Sequence, residues 1–400
     1  MTKIEQKTLL WIDNKKNYLF FLVISMLGLL IRLVGFDFIS GDMKVYLIPW
    51  YEMIKENGGR YCLGVQIGNY NLAYQTIIAF MTYLDYPPEY LYKLLSVIFD
   101  YILAFSVALW ISDVKQDNLF GFYFNVPYAV ILFLPTIFFD SAYWGQCDAI
   151  YVSFIVLSLW FLYKEKYIHA FICLGSAFAF KLQTIFILPF FISYYFHKKK
   201  FSIFYFFLAV FVFWLSGIGG FYYGRSLLEP FRIYFHQTSD WPQMWINICN
   251  FWAIFGNSWE FQIQYYDILS SLSVILTLAI CGIGFYCVLS GRKEIDSPES
   301  FLNTACWFFW TCVMFLPAMH ERYTYGVDVL LVLLCFVNKR YIPHAALSVT
   351  LSTITYMTFL VGLESTVTPC HALLYLTSWL HYTYLVFCKV QTHADEKILL

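Results

Sequence analysis

From Asn17 to Phe36 the chain runs twenty residues, "NYLFFLVISMLGLLIRLVGF", that are almost wholly apolar, and runs of the same character recur as far as residue 389. One soluble core cannot absorb so many segments of this kind, whereas a bilayer demands them. Composition supports the same reading. Of 400 residues, 60% are hydrophobic, 22% aromatic and 13% charged, and mean hydropathy is +0.63. A soluble domain carries about 25% charged residues, so a water-soluble fold is excluded. The net charge of −1 supplies no basic face, which excludes nucleic acid as a partner. The chain therefore reads as an all-α, polytopic transmembrane helical bundle, one integral membrane domain over 1–400. Its eleven cysteines form no CxxC pair and sit mostly in apolar runs (Cys173, Cys281, Cys306, Cys335). They read as small hydrophobes between helices rather than as a disulfide framework. The opening "MTKIEQKTLLWIDNKKN" is polar and basic, and the apolar run after it is too long for a signal-peptide core, so no cleaved leader is expected.

Charge orients the spans. Lys3, Lys7, Lys15 and Lys16 precede the first run, which puts residues 1–17 in the cytoplasm as a tail and the stretch after Phe36 outside. The region 37–87 is half polar. Within it, Met43 to Glu56 carries Tyr46, Ile48, Trp50, Met53 and Ile54 at helical spacing and reads as an interfacial amphipathic helix ended by "ENGG". Tyr70–Leu84 is the ambiguous run. Treating it as non-spanning leaves later spans near 88–112, 119–139, 148–163, 167–180, 183–197, 201–219, 265–290, 301–318, 324–338, 341–361 and 371–389. This gives twelve spans with both termini cytoplasmic. It also puts 16 of the 25 basic residues on the cytoplasmic side, Lys389 and Lys397 and the "HKKK", "GRKE" and "NKR" loops among them. Several of these spans are short enough to end below the membrane surface around a cavity. Two large external regions, 37–87 and 220–264, would roof it.

Ionisable groups near membrane depth are functional candidates by default. On this topology Asp37, Asp42, Asp140, Asp148, Lys181 and the triplet His320-Glu321-Arg322 all gather on the outer face. Each has a structural explanation as well. Asp42 and Asp148 fit helix N-caps, Lys181 fits a lysine snorkelling to headgroups, and the triplet fits a salt-bridged turn. Trp144, Trp241, Trp245 and Tyr323 fit an aromatic interface belt. It is the coincidence on one face that favours function. No Ser-His-Asp spacing, HExxH, P-loop or metal-spaced His/Cys cluster is present. Carboxylates beside Lys, Arg and His suit a phosphorylated substrate: the cations hold phosphate, arginine bidentately, and a carboxylate removes a proton from an attacking hydroxyl. Sugar transfer from a lipid-linked phosphosugar uses this pair, and a phosphate leaving group needs no second carboxylate as acid.

Four segments carry a resemblance: "SGDMKVYLIPW" after the first span, "YWGQCDAIYVSF" opening the fourth, "FAFKLQTIFILPFF" between the fifth and sixth, and "MHERYTYGVDVLLV" at the tenth. In these the chain resembles the GT-C superfamily of integral membrane glycosyltransferases, most closely the bacterial relatives of the GPI mannosyltransferases. Lys181-Leu182-Gln183 and His320-Glu321-Arg322 are similar to an "FKQ"-like and a "HEK"-like element of dolichyl-phosphate-glucose-dependent enzymes. The resemblance implies a GT-C-like bundle with juxtamembrane helices in its first external loop. It implies an inverting transfer of a hexose from a polyprenyl-phosphate donor to a cell-envelope glycan or glycolipid acceptor, on the extracytoplasmic face of a bacterial plasma membrane. Asp42 then matches the catalytic base, with Asp37 in reserve. Lys181, His320 and Arg322 would contact the donor phosphate, and Gln146 and Asp148 would line the sugar or acceptor site together with Trp144, Glu321 and Tyr46. Some members bind a divalent metal through a closely spaced acidic pair in loop one. Asp37 and Asp42 are five residues apart with no DxD, so no metal or other cofactor is expected. Two further classes compete: a lipid-linked-sugar flippase or transporter, which would gather charges at the midplane with repeat symmetry, and an oligosaccharide polymerase or ligase using a pyrophosphate lipid.

Overall fold

The structure is a computed structural model and describes residues 1–237, 241–256, 258–362 and 367–388. Lys389, Lys397, the last residue of the expected 371–389 span and parts of the 220–264 region lie outside the described residues. The chain is 79% helical. In order, its helices are α1 Lys3–Gly35, α2 Ile48–Glu56, α3 Leu72–Met81, α4 Pro88–Val114, α5 Phe122–Leu132, α6 Pro135–Phe138, α7 Asp148–Tyr163 and α8 Tyr167–Phe180. They continue with α9 Leu188–Lys198, α10 Phe204–Leu215, α11 Ile218–Tyr222, α12 Glu229–Gln237, α13 Trp259–Leu289, α14 Pro298–Phe315, α15 Tyr325–Val337, α16 Ile342–Val361 and α17 Pro369–Phe387. Two two-residue strands, β1 Trp245–Ile246 and β2 Met319–His320, pair in parallel.

Each apolar run expected to span is mostly helical over its described residues. Among the described residues, four helices are long and apolar enough to cross a membrane, or five if the bent pair Phe122–Leu132 and Pro135–Trp144 counts as one span. That pair turns through 53° at Pro135, which cannot continue the hydrogen-bond ladder of α5. Residues 3–17 are helical too, so α1 is a single helix about 50 Å long at 1.5 Å per residue rather than a tail followed by a span. By the same rise α3 is only about 15 Å long, half the ~30 Å hydrocarbon thickness.

α14 is the centre of the bundle: every residue from Ser300 to Phe315 is buried, as a helix apolar on all sides requires. α13 is peripheral. It buries only Gln262 and the stripe Ser273, Thr277, Cys281, Gly284 and Val288, small residues that let two helices approach closely.

Three contacts fix where the region 37–87 begins. Arg32 Nε donates to Asp100 Oδ2 at 2.7 Å, both side chains fully buried, and ties α1 to α4. Ser141 Oγ donates to the same carboxylate oxygen at 2.5 Å. Lys93 Nζ donates to the carbonyls of Gly35 and Phe36 at 2.8 Å, and also to that of Phe38, satisfying the open end of α1. After Phe38 the chain forms a wide π turn, Met43–Leu47, that runs directly into α2. The amphipathic helix is present, but its buried face is Met43, Leu47, Tyr51 and Ile54; Tyr46 and Met53, expected on the apolar face, are exposed. α2 ends at Asn57 and Gly58, as "ENGG" suggested.

The regions 37–87 and 220–264 are bound to each other. Arg225 donates to Gln75 Oε1 at 3.2 Å, Gln66 Oε1 at 2.7 Å and Glu229 Oε1 at 2.7 Å. Asn71 Nδ2 donates to the Pro230 carbonyl at 2.9 Å.

Candidate active site

Asp42 precedes the π turn but does not cap it. Ser40 Oγ accepts from the Met43 N–H at 3.2 Å, which frees the Asp42 carboxylate to turn toward the "WGQCD" segment. Trp144 Nε1 donates to Asp42 Oδ2 at 2.9 Å, and Gln146 Nε2 donates to the same oxygen at 3.0 Å. The approach depends on Gly145, whose φ is +76°. That left-handed conformation favours glycine, and a Cβ there would meet the mobile end of the Met43 side chain, 2.2 Å from its Cε. Asp42 Oδ1 hydrogen-bonds no described residue, and the side chain is 28% exposed.

Asp148 is the first residue of α7 and makes no cap either. It is fully buried between two cations: Lys181 Nζ at 2.8 Å on Oδ1 and Arg322 Nη1 at 3.3 Å on Oδ2. Lys181 lies at the extended residue between α8 and a 3-10 turn, Leu182–Ile187. It is buried rather than snorkelling outward, because its partner is inside. Burial is the largest single influence and disfavours its charge, but Asp148, Cys147 and Asp140 together outweigh it and hold the ammonium pKa above the ordinary lysine value.

Arg322 is delivered by the β1–β2 pairing, in which Ile246 faces His320, followed by a 3-10 turn, Glu321–Thr324. Its guanidinium is nearly saturated. Nε donates to Glu321 Oε1 at 3.1 Å, while Nη1 donates to Gln146 Oε1 at 2.5 Å as well as to Asp148. Nη2 lies 4.0 Å from Asp42 Oδ2 and hydrogen-bonds no described residue. The guanidinium carbon stands 5.2 Å from the Trp144 ring centroid, within cation–π range. Burial raises the Glu321 pKa against the opposing pull of Arg322. His320 is driven down to about 3, first by burial and then by Arg322 and Lys181, so its ring is neutral at physiological pH and can donate or accept.

These side chains surround a cavity of about 520 Å³ lined by Asp42, Tyr46, Gln146, Lys181, His320, Glu321 and Arg322, with Tyr70, Gln183, Gln237, Trp241 and Trp259 among others. The volume falls in the range of small-molecule sites, about 300–1,000 Å³. A second, apolar cavity of about 720 Å³ lies among α8, α9, α10, α12 and α13 and shares Leu182, Gln183, Gln237 and Tyr323 with the first. The structure thus brings together eight of the ten expected site residues around one centre, with Trp144 and Asp148 as its buried support. The ninth, Tyr46, stands at the wall. Asp37 is not part of it: its carboxylate accepts from Tyr90 OH at 2.6 Å on an exposed edge. Tyr70 was missed; it donates to Gln146 Oε1 at 3.2 Å and was hidden in a run considered only for whether it spans. No group of three or more His, Cys, Asp or Glu able to hold a metal occurs among the described residues.

No protein-family model matches the chain, and no curated protein matches it.

Proposed function

We propose that the protein is an inverting, GT-C-type glycosyltransferase of a bacterial plasma membrane with twelve spans. It moves a hexose from a polyprenyl-phosphate-linked donor to a cell-envelope glycan or glycolipid on the extracytoplasmic face. One observation carries the reading: Asp42, Lys181 and Arg322 line one cavity, and an apolar cavity adjoins it. A carboxylate base, donors for one phosphate and a lodging for a lipid tail are the three needs of this reaction.

In the reaction the acceptor hydroxyl gives its proton to Asp42 as its oxygen attacks the anomeric carbon. The bond from that carbon to the phosphate oxygen breaks, and the electron pair leaves with the polyprenyl phosphate. The base and the leaving group must lie on opposite faces of the sugar, so configuration inverts. Lys181 and Arg322 stabilise the charge gained by the phosphate. Neutral His320 adds an N–H donor beside them. Gln146 and Trp144 hold Asp42 in one rotamer, a positioning role.

The test is transfer by the purified protein from synthetic polyprenyl-phosphate hexoses, with product configuration read by NMR. Inverted product from a monophosphate donor is expected. Use of pyrophosphate donors alone, or movement of the donor across a liposome without bond cleavage, would refute the proposal.

A further inference from the structure

The charged groups of the cavity lie deep, whereas its outer wall is uncharged. Lys181 and Glu321 are buried, and the side chains of Arg322 and Asp42 are only 14% and 28% exposed. Toward solvent the lining consists of Tyr46, Trp50, Trp241 and Trp259, with the amides of Asn69 and Gln237 among them; Trp259 is 54% exposed and Trp241 39%. Aromatic rings that serve only as a membrane belt face lipid, but these line a cavity. Trp50 is also held rigidly. Gly68 takes φ +70°, and its backbone lies so close beneath the indole that a Cβ would stand 2.5 Å from Trp50 Cδ2. Tyr46 and Tyr70 flank the ring at 5.6 and 5.8 Å between centroids. Gln66 Nε2 pins the supporting loop by donating to the carbonyls of Gly68 at 2.9 Å and Tyr70 at 2.8 Å.

We infer that this wall is the acceptor subsite and that the acceptor is an uncharged pyranose glycan, its sugar faces stacked on Trp50 and Trp259. A pyranose ring presents a C–H face to an aromatic ring, while its hydroxyls pair with amides that donate and accept at once. The inference rests on the donor assignment above and deepens it. Once the donor phosphate occupies Lys181 and Arg322, the described lining residues offer no further cation. An anionic acceptor such as a polyol phosphate would then meet only Asp42 and Glu321, and like charges in a partly desolvated pocket repel. Anionic polymers are excluded by this arrangement, and neutral saccharides are admitted.

The experiment uses the full chain in detergent, with cellotetraose, maltotetraose and tetra(glycerol phosphate) as probes, and binding read by saturation-transfer NMR. Binding of a saccharide, with aromatic protons as the magnetisation source, is expected in preference to the polyol phosphate. Trp50→Ala and Trp259→Ala should each weaken it about tenfold, while Trp50→Phe and Trp259→Phe restore most of it. In transfer assays the alanine variants should raise acceptor KM by about the same factor with kcat nearly constant, as loss of uniform binding requires. Preference for tetra(glycerol phosphate), failure of both saccharides to bind, or undiminished binding by the Trp50→Ala/Trp259→Ala double variant overturns the inference. Binding needs no sugar transfer. Tryptophan-dependent saccharide binding without any transfer therefore removes the transferase reading and leaves the subsite standing.

Discussion

Replacing Asp42 by Asn tests the proposed chemistry with little disturbance of the fold. The Asp42 oxygen that accepts from Trp144 and Gln146 at 2.9 and 3.0 Å has a counterpart in the amide oxygen of Asn, so both donors remain satisfied. The amide NH₂ then replaces Oδ1, the oxygen with no described partner, and the group that would take the acceptor proton is gone. Loss of a general base lowers turnover by about 10²–10⁴, equivalent to ~3–5 kcal/mol of barrier. Stability should change far less. The nearest cation, Arg322 Nη2, is 4.0 Å away, and Arg322 keeps Glu321 and Asp148; a partly exposed pair at that distance is worth ~0–1 kcal/mol. The assay is single-turnover transfer from a polyprenyl-phosphate hexose, run beside thermal unfolding in the same detergent. Turnover within threefold of wild type, at unchanged stability, would remove Asp42 as the base.

Three other outcomes follow from the same geometry. Lys181→Met leaves Asp148 paired with Arg322 and removes one phosphate donor; donor KM should rise by about tenfold or more while acceptor KM moves little, and equal movement of both would count against the phosphate role. Arg32→Met strands the buried Asp100 carboxylate and should cost ~3–5 kcal/mol in unfolding experiments, with Arg32→Met/Asp100→Leu recovering most of it; an undisturbed single variant would show the pair to be dispensable. His320 has its pKa depressed from the ordinary 6.5 to about 3, so the unfolded chain binds the extra proton first. Stability should therefore fall as pH drops from about 6.5 toward 3 and then level off, an inflection absent from thermal scans of His320→Gln. If the variant keeps the inflection, another group is responsible.

Much of the architecture was legible because lipid simplifies the code. Apolar runs bounded by basic loops become helices, and α7 and α8 begin and end at the residues expected. Less legible was anything requiring knowledge of a helix's neighbours. Of the apolar set Tyr46, Ile48, Trp50, Met53 and Ile54 expected within Met43–Glu56, only Ile54 is on the buried face, which is otherwise Met43, Leu47 and Tyr51, since its partners include α3 and α4 and the wide turn rotates the face. Asp37 and Asp42 look alike in sequence; only the Gly145 turn and the Ser40 cap decide that Asp42 faces the cavity while Asp37 meets Tyr90. Arg32, Asp100 and Asp328 stand inside apolar runs and could have been singled out on that ground alone. Their partners, among them Ser348 Oγ donating to Asp328 at 2.5 Å, come from distant helices and leave no local mark.

The geometry also changes how an anion would be held. Arginine in such a site suggests a fork gripping two phosphate oxygens. Here the fork is already used: Glu321 takes Nε, Gln146 and Asp148 take Nη1, and Nη2 alone is unspent among the described contacts. Lys181 spends one of its three protons on Asp148 and has two to give. A phosphate would accordingly bridge the two residues, one contact from each, instead of docking on Arg322 alone. Asp148 is what makes the bridge possible. Two bare cations a few ångströms apart repel by about 4 kcal/mol at an effective dielectric of 20, and a carboxylate buried between them converts that repulsion into attraction. Asp148 is therefore a positioning residue for both cations. Asp148→Asn should weaken donor binding more than either cation's conservative swap, Lys181→Arg or Arg322→Lys, because it loosens two contacts at once.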